Sequence, residues 1–216
     1  MKYKNRFWKI KYIYERIICL IALILILPLL IIIALLQKIF NPFSPIFYSC
    51  NRLGMNGKVF RLYKFRTMIV NAPELRSLDN KLITYTNDNR VTFFGRFLRL
   101  GFDELPQLIN VLKGDMCLIG PRPDIPEEYN TYNKRQMIRI TVLPGITGLT
   151  QVLDGRILHN LDNYELDVRY VLQSNFSLDI KIIILTLPYS LGLKKIGQKY
   201  LYKFMFDLPR QNKETI

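Results

Sequence analysis

The chain has 216 residues, half of them hydrophobic, and 31 Lys and Arg against 17 Asp and Glu give a formal net charge of +14. That length accommodates one ordinary domain with an appendage and buries enough surface to need no covalent staples. A single histidine, His159, excludes His-rich zinc sites and argues against Ser-His-Asp catalysis. The three scattered cysteines, Cys19, Cys50 and Cys117, imply no disulfide framework and suit a reducing, cytosol-facing compartment.

The charge is unevenly placed. Residues 1–66 carry twelve Lys and Arg but one acid, Glu15, whereas the remaining 150 residues carry nineteen bases and sixteen acids. A basic excess confined to the two sides of an apolar run reads as a membrane-surface device, and no nucleic-acid partner is expected.

In chain order, the first element is that run, twenty residues from 17 to 36 without a charge. As a helix it would extend ~30 Å, about one hydrocarbon thickness. It is too long for a signal peptide, and no small-residue cleavage site follows it. Both flanks are basic, so both favour the cytoplasmic side. Pro28 sits near the middle, where a missing N–H kinks a helix. These features predict a bent hairpin that enters and leaves by one face, with a single-pass helix carrying a tolerated proline as the alternative.

A loop is expected around Asn41-Pro42 and Ser44-Pro45, then a strand over residues 59–68 with Lys64 and Arg66 on one face. Residues 72–89 read as a polar loop and 93–100 as a helix carrying Arg96 and Arg99. Residues 104–112 have helical spacing, stopped by Gly114. Gly120-Pro121-Arg122-Pro123 is a rigid loop. Residues 125–140 read as an amphipathic helix exposing Glu127, Glu128, Lys134, Arg135 and Arg139, and residues 144–148 as a tight loop. Two more helices are expected at 161–171 and 178–187, the second capped by Ser177 with Asp179 in its first turn and followed by a lysine-rich tail. The expected fold is a small, helix-rich α+β membrane-associated domain with interfacial amphipathic helices. Its segments are a basic N-terminus and re-entrant membrane helix (1–40), a catalytic domain (41–193) and a basic tail (194–216).

Among the carboxylates one adjacent pair stands out. Asp103-Glu104 follows Gly101 and precedes Leu105-Pro106, which suits a helix start, so a capping Asp with a dipole-favoured Glu is one reading. The other is a carboxylate nucleophile beside an acid/base group or a Mg²⁺ ligand. Arg90, Arg96, Arg99 and Arg122 surround the pair in sequence, and Pro121 and Pro123 fix the backbone about Arg122. Arginine forks match a diphosphate. An acidic pair, held arginines and a membrane segment together point to a reaction of a lipid-linked phosphate.

The motifs Lys64-Phe65-Arg66-Thr67-Met68, Asp103-Glu104-Leu105-Pro106-Gln107-Leu108, Gly114-Asp115-Met116, Gly120-Pro121-Arg122-Pro123 and Pro144-Gly145-Ile146-Thr147-Gly148 resemble, in order, those of the bacterial sugar transferases, the monotopic phosphoglycosyl transferases. The resemblance implies transfer of a sugar-1-phosphate from a UDP-sugar to polyprenyl (undecaprenyl) phosphate with release of UMP. This is the initiating step of surface polysaccharide or glycoconjugate assembly, at the cytoplasmic face of the bacterial inner membrane. It implies Asp103 as nucleophile and Mg²⁺ ligand, forming a covalent phosphosugar, and Glu104 as the group that deprotonates or positions the lipid phosphate. Lys64, Arg66, Arg90 and Arg99 would lie around the phosphates. Pro121, Arg122 and Pro123 would hold the nucleotide, and Gln151 and Arg156 are further substrate-contact candidates. The family's apolar helix is re-entrant and broken at proline, here Pro28. This chain departs at Leu27-Pro28, where Ser-Pro is common, and at Gly101-Phe102, where Ser-Leu is common. A homodimer is left open, since no clean interface signal is present.

Overall fold

The computed structural model describes the backbone of residues 2–73, 88–153 and 163–190, with side chains from 6 to 186 within those ranges. The expected polar loop after residue 73, the basic tail, His159 and Arg156 therefore fall largely or wholly outside the described residues. Helices and short strands mix, as an α+β reading requires, and the chain separates into two compact units. One comprises Met1–Arg52 and Val59–Cys117, the other Leu53–Lys58 and Leu118–Ile216.

The first unit begins with α1, Lys2–Phe40, a single 39-residue helix with Pro28 inside it. Its segment Arg6–Phe40 is long and apolar enough to cross a membrane. Burial along it is uneven. Trp8, Lys11, Glu15 and Cys19 recur at helical spacing and are buried, as are Ile33 and Gln37. Between them the apolar surface is largely uncovered, with Ile21, Ile24, Leu25 and Leu27 half or more exposed. A helix whose middle is bare and whose two ends are packed is built for a lipid environment between two protein contacts.

Two strands follow, β1 (Phe47–Leu53) and β2 (Val59–Phe65), paired as a two-stranded sheet. The expected strand at 59–68 thus ends three residues early, and β1 was not foreseen. Past β2, Met68 bridges Val91, which leads into α2 (Phe93–Leu98), capped by the Thr92 hydroxyl accepting from the Gly95 N–H at 3.0 Å. The core of this unit is Ile33 of α1, Phe65 of β2, and Phe94 and Leu98 of α2, with Leu30, Ile46, Phe102 and Leu105 packed around them. Helix α3, Gln107–Lys113, closes the unit and stops at Gly114, as the sequence predicts.

The second unit pairs β3 (Cys117–Ile119) with β4 (Gly145–Thr147) and adds α4 (Leu149–Leu153), α5 (Asn163–Gln173) and α6 (Phe176–Ser190). Its core gathers Leu149, Val152, Leu166, Val168, Tyr170 and Ile182. Here the sequence expectations need three corrections. The amphipathic helix over 125–140 is two 3₁₀ segments, Pro126–Thr131 and Gln136–Thr141. Asn133 interrupts it, since its Oδ1 accepts from the N–H groups of Arg135 and Gln136 while Gln136 Oε1 accepts from the Asn133 N–H. That is a reciprocal cap that restarts the chain. Arg139, expected on the exposed face, is buried. The last helix is capped by Asn175, whose Oδ1 accepts from the Leu178 N–H at 2.9 Å, and not by Ser177.

Candidate active site

The acidic pair lies in the first unit, on the turn between α2 and α3. Gly101 takes φ 113°, a left-handed conformation that reverses the backbone directly after α2. Phe102–Glu104 then forms one 3₁₀ turn, and Leu105 and Pro106 continue helically into α3. Neither start is closed by a side chain, because Gly101 and Pro106 occupy the capping positions. The capping role for Asp103 is thereby removed. Among the described residues no side chain hydrogen-bonds its carboxylate, and burial pushes its pKa above the ordinary carboxylate value, with Glu104 adding to the rise and Lys64 and Arg99 opposing it. Glu104 is paired, its Oε1 2.6 Å from Lys64 Nζ.

The register between this turn and β2 is set by Asn110, which is fully buried on α3. Its Oδ1 accepts from the Tyr63 N–H at 3.1 Å and its Nδ2 donates to the Arg61 carbonyl at 2.8 Å. One side chain thus plays the part of a neighbouring strand for β2, and it presents Lys64 to Glu104. Asn110→Leu, close in volume, removes the partner of both backbone groups. It is expected to destabilise the protein by about 2–3 kcal/mol, measured by denaturant unfolding in detergent.

The basic residues of this unit divide by engagement. Arg99 is exposed, with Nε 3.3 Å from the Thr67 hydroxyl. Arg66 donates to the Pro45 carbonyl at 3.2 Å and lies over the Tyr48 ring. Arg90 is held in a fork on Asp88, with contacts of 2.6–3.1 Å, and reaches the Pro73 carbonyl at 2.6 Å. Those hydrogen bonds pull Asp88 down to about 2. Lys64 and Arg99 are therefore the cations whose fields act on Asp103, while Arg90 and Arg66 brace the chain on either side of the short bridge at Met68.

In the second unit the Pro121-Arg122-Pro123 loop sits between β3 and the first 3₁₀ segment. Gly120 N–H donates to the Thr147 carbonyl and Gly145 N–H to the Pro121 carbonyl, both at 2.9 Å. The approach is so close that a Cβ at Gly145 or Gly148 would collide with the Gly120 backbone. The Arg122 side chain is exposed, while its carbonyl accepts from Arg139 at 2.9 Å. Gln151, on α4, is partly buried, and among the described residues neither of its amide atoms has a hydrogen-bond partner.

The sequence model of the bacterial sugar transferases matches residues 5–192. The chain belongs to that family. Among its relatives, the uncharacterized sugar transferase EpsL of Bacillus subtilis is 45% identical over 144 residues, covering 66% of this chain and 68% of the relative. The galactosyl transferase CpsE of Streptococcus agalactiae is 40% identical over 167 residues, 73% of this chain and 37% of the relative. A UDP-glucose:undecaprenyl-phosphate glucose-1-phosphate transferase of Xanthomonas campestris is 36% identical over 209 residues, 92% and 41% respectively. The chain therefore spans about two fifths of the length of the last two.

In this bacterial sugar transferase, the residues that sequence reasoning did not single out are Asn110, Asp124, Arg139 and Asp167. Each is a polar residue at an otherwise apolar position, as with Arg139 between Ile138 and Ile140 and Asp167 between Leu166 and Val168. That pattern was a usable signal of buried pairing. Metal binding narrows in the same way. Among the described residues no three His, Cys, Asp or Glu gather into a cage. A single partly exposed carboxylate with no side-chain partner is what Mg²⁺ uses when phosphate oxygens and water complete its shell. Asp103 fits that mode.

Proposed function

We propose that the protein is a phosphoglycosyl transferase that moves a sugar-1-phosphate from a UDP-sugar to polyprenyl (undecaprenyl) phosphate and releases UMP, in the initiating step of surface polysaccharide or glycoconjugate assembly. The carboxylate of Asp103 carries the reading, since it is desolvated, uncapped and faced by Lys64 and Arg99. The name of the Xanthomonas relative supports the same substrates.

In this mechanism an Asp103 oxygen attacks the β-phosphorus of the UDP-sugar. The bond from that phosphorus to the bridging oxygen breaks, and UMP leaves with the electron pair. An oxygen of the lipid phosphate then attacks the phosphosugar-enzyme and Asp103 departs as a carboxylate. Glu104, held at 2.6 Å by Lys64, positions or deprotonates the lipid phosphate. Lys64 and Arg99 offset the negative charge that gathers beside Asp103. Arg122 holds the nucleotide diphosphate by its fork, with Gln151 and Arg156 as further contacts. Mg²⁺ held by Asp103 and the diphosphate would supply neutralisation of the phosphate charge. Incubation with a panel of UDP-hexoses and undecaprenyl phosphate, reading UMP with and without EDTA, tests the proposal. Sustained UMP release, beyond the one equivalent of the first step, that needs both the lipid and the metal is expected, and no release with any donor would overturn it.

The same reading places α1 as a re-entrant hairpin on the cytoplasmic face, bent at Pro28. Two contacts support it. The Arg16 guanidinium lies against Gly114, and Gln37 Nε2 donates to the Arg66 carbonyl at 2.6 Å. Both partners belong to the first unit, yet a straight helix would separate residues 16 and 37 by ~31 Å, more than the hydrocarbon core. A unique cysteine at Lys4 and another at Pro42 are expected to react with an impermeant maleimide only after the cells are opened. Labelling of the first in intact cells would make α1 a crossing helix.

A further inference from the structure

We propose that Arg139 is a positioning residue for nucleotide binding. It fixes the backbone of the Pro121-Arg122-Pro123 loop, so that Arg122 presents its guanidinium to a nucleoside diphosphate while Arg139 never touches the ligand. The inference rests on the reading of that loop as the nucleotide holder.

Arg139 is 3% exposed. All five of its N–H donors are engaged. Nε and Nη2 both reach Asp167 Oδ2, at 3.2 and 2.5 Å. Nη1 reaches Asp124 Oδ2 and, at 2.9 Å, the Tyr132 hydroxyl. Nη2 donates its other hydrogen to the Arg122 carbonyl at 2.9 Å. No donor remains for a phosphate, which separates Arg139 from the exposed Arg122. The guanidinium also lies over the Tyr164 ring, 4.6 Å from its centroid.

The chemistry of the loop explains why an arginine is placed there. Pro121 and Pro123 lack N–H groups, so the tripeptide can make few bonds of its own, although its fixed φ angles keep it stiff. Its far end must be held from outside. Arg139 does so twice, at the Arg122 carbonyl and at the carboxylate of Asp124, directly after Pro123. Asp167 anchors the guanidinium in turn and accepts from the Thr150 hydroxyl, linking α4 and α5 to the loop. Tyr132 ties its hydroxyl to Asp124 at 2.5 Å. A lysine would keep the charge, but its three donors cannot span the two carboxylates, the hydroxyl and the carbonyl.

The test is kinetic and uses the full-length protein in membranes, with the UDP-hexose that supports turnover and undecaprenyl phosphate. In a ping-pong scheme kcat/KM for the donor reports the first half-reaction alone, and kcat/KM for the lipid the second. Arg139→Lys is expected to lower the donor value by about 10-fold or more and leave the lipid value within about 2-fold. A loss of folded protein would lower both equally and would overturn the positioning role. Tyr132→Phe, which removes one hydroxyl without emptying volume, is expected to lower the donor value about 3-fold by the same route. In the Arg122→Ala background neither substitution should lower it further, because the side chain they position is gone. Additive losses in that background would refute action through Arg122. If Arg122→Ala itself leaves the donor value unchanged, the loop does not hold the nucleotide, and the assignments of Arg122 and Arg139 fall while that of Asp103 stands.

Discussion

Asp103→Asn is expected to abolish UMP release, by at least about 10⁴-fold, because the variant keeps the shape of the site but cannot form the proposed phosphosugar bond. A labelled sugar phosphate should become acid-stably attached to the wild-type chain and not to the variant. Protein that retains substantial turnover would remove Asp103 as nucleophile. The same residue predicts the pH response. Burial raises its folded pKa, so the ionised form needed for attack is lost at a higher pH than for an ordinary carboxylate. Donor kcat/KM should therefore fall on acidification through that raised pKa. The stability sign follows from linkage. A carboxyl whose folded pKa exceeds its unfolded one favours the folded state most at low pH, and that contribution is lost as pH rises through the folded pKa. At neutral pH the asparagine variant should be at least as stable as the wild type, and this advantage should vanish in acid. A dead enzyme that melts no earlier than the active one is the combined signature to look for.

Gly145→Ala carries the largest expected cost in stability. The new methyl would enter the backbone of Gly120 and crowd the Thr147 carbonyl, so no side chain can rotate away to relieve it. The pairing of Gly120 with Thr147 and of Gly145 with Pro121 must open. A loss of about 3 kcal/mol or more is expected, a fall in Tm of about 6–12 °C for a chain of this length. Gly148→Ala, which meets the Gly120 carbonyl and the Gln151 amide, should behave alike. Unchanged melting of Gly145→Ala would show that the two loops are not locked together.

Much of the site was legible because its signals are local. The stop at Gly114 and the proline-fixed loop follow from residue types that leave the backbone few choices. The start of α2 at Phe93 agrees with the helix expected over 93–100, whereas α6 begins two residues before the expected 178 because Asn175, not Ser177, caps it. What failed depended on distant partners. Residues 125–140 have helical spacing, yet the Asn133–Gln136 cap and the carboxylates of Asp124 and Asp167 override it. Charge normally faces water, so the pattern places Arg139 on the exposed face, and only the convergence of Asp124 and Asp167 makes its burial favourable. Strands β3 and β4 are three residues each, too short to show a period. The placement of Asn110 against β2 joins residues 47 and 49 apart in sequence, which no pattern within a window reveals.

The junction between the Pro121-Arg122-Pro123 loop and β4 is built from main-chain atoms alone. Its geometry on this side therefore depends on Gly145 and Gly148 staying glycine, while the Arg139 side chain holds the loop from the other side. Substitutions can accumulate on walls that touch neither this junction nor Arg139 without dislodging Arg122. Under the proposed function, what is recognised at one end of a donor can thus change while the grip of Arg122 on the other end stays unaltered. Conversely, two glycines with no polar side chain at all become the least replaceable positions in the second unit.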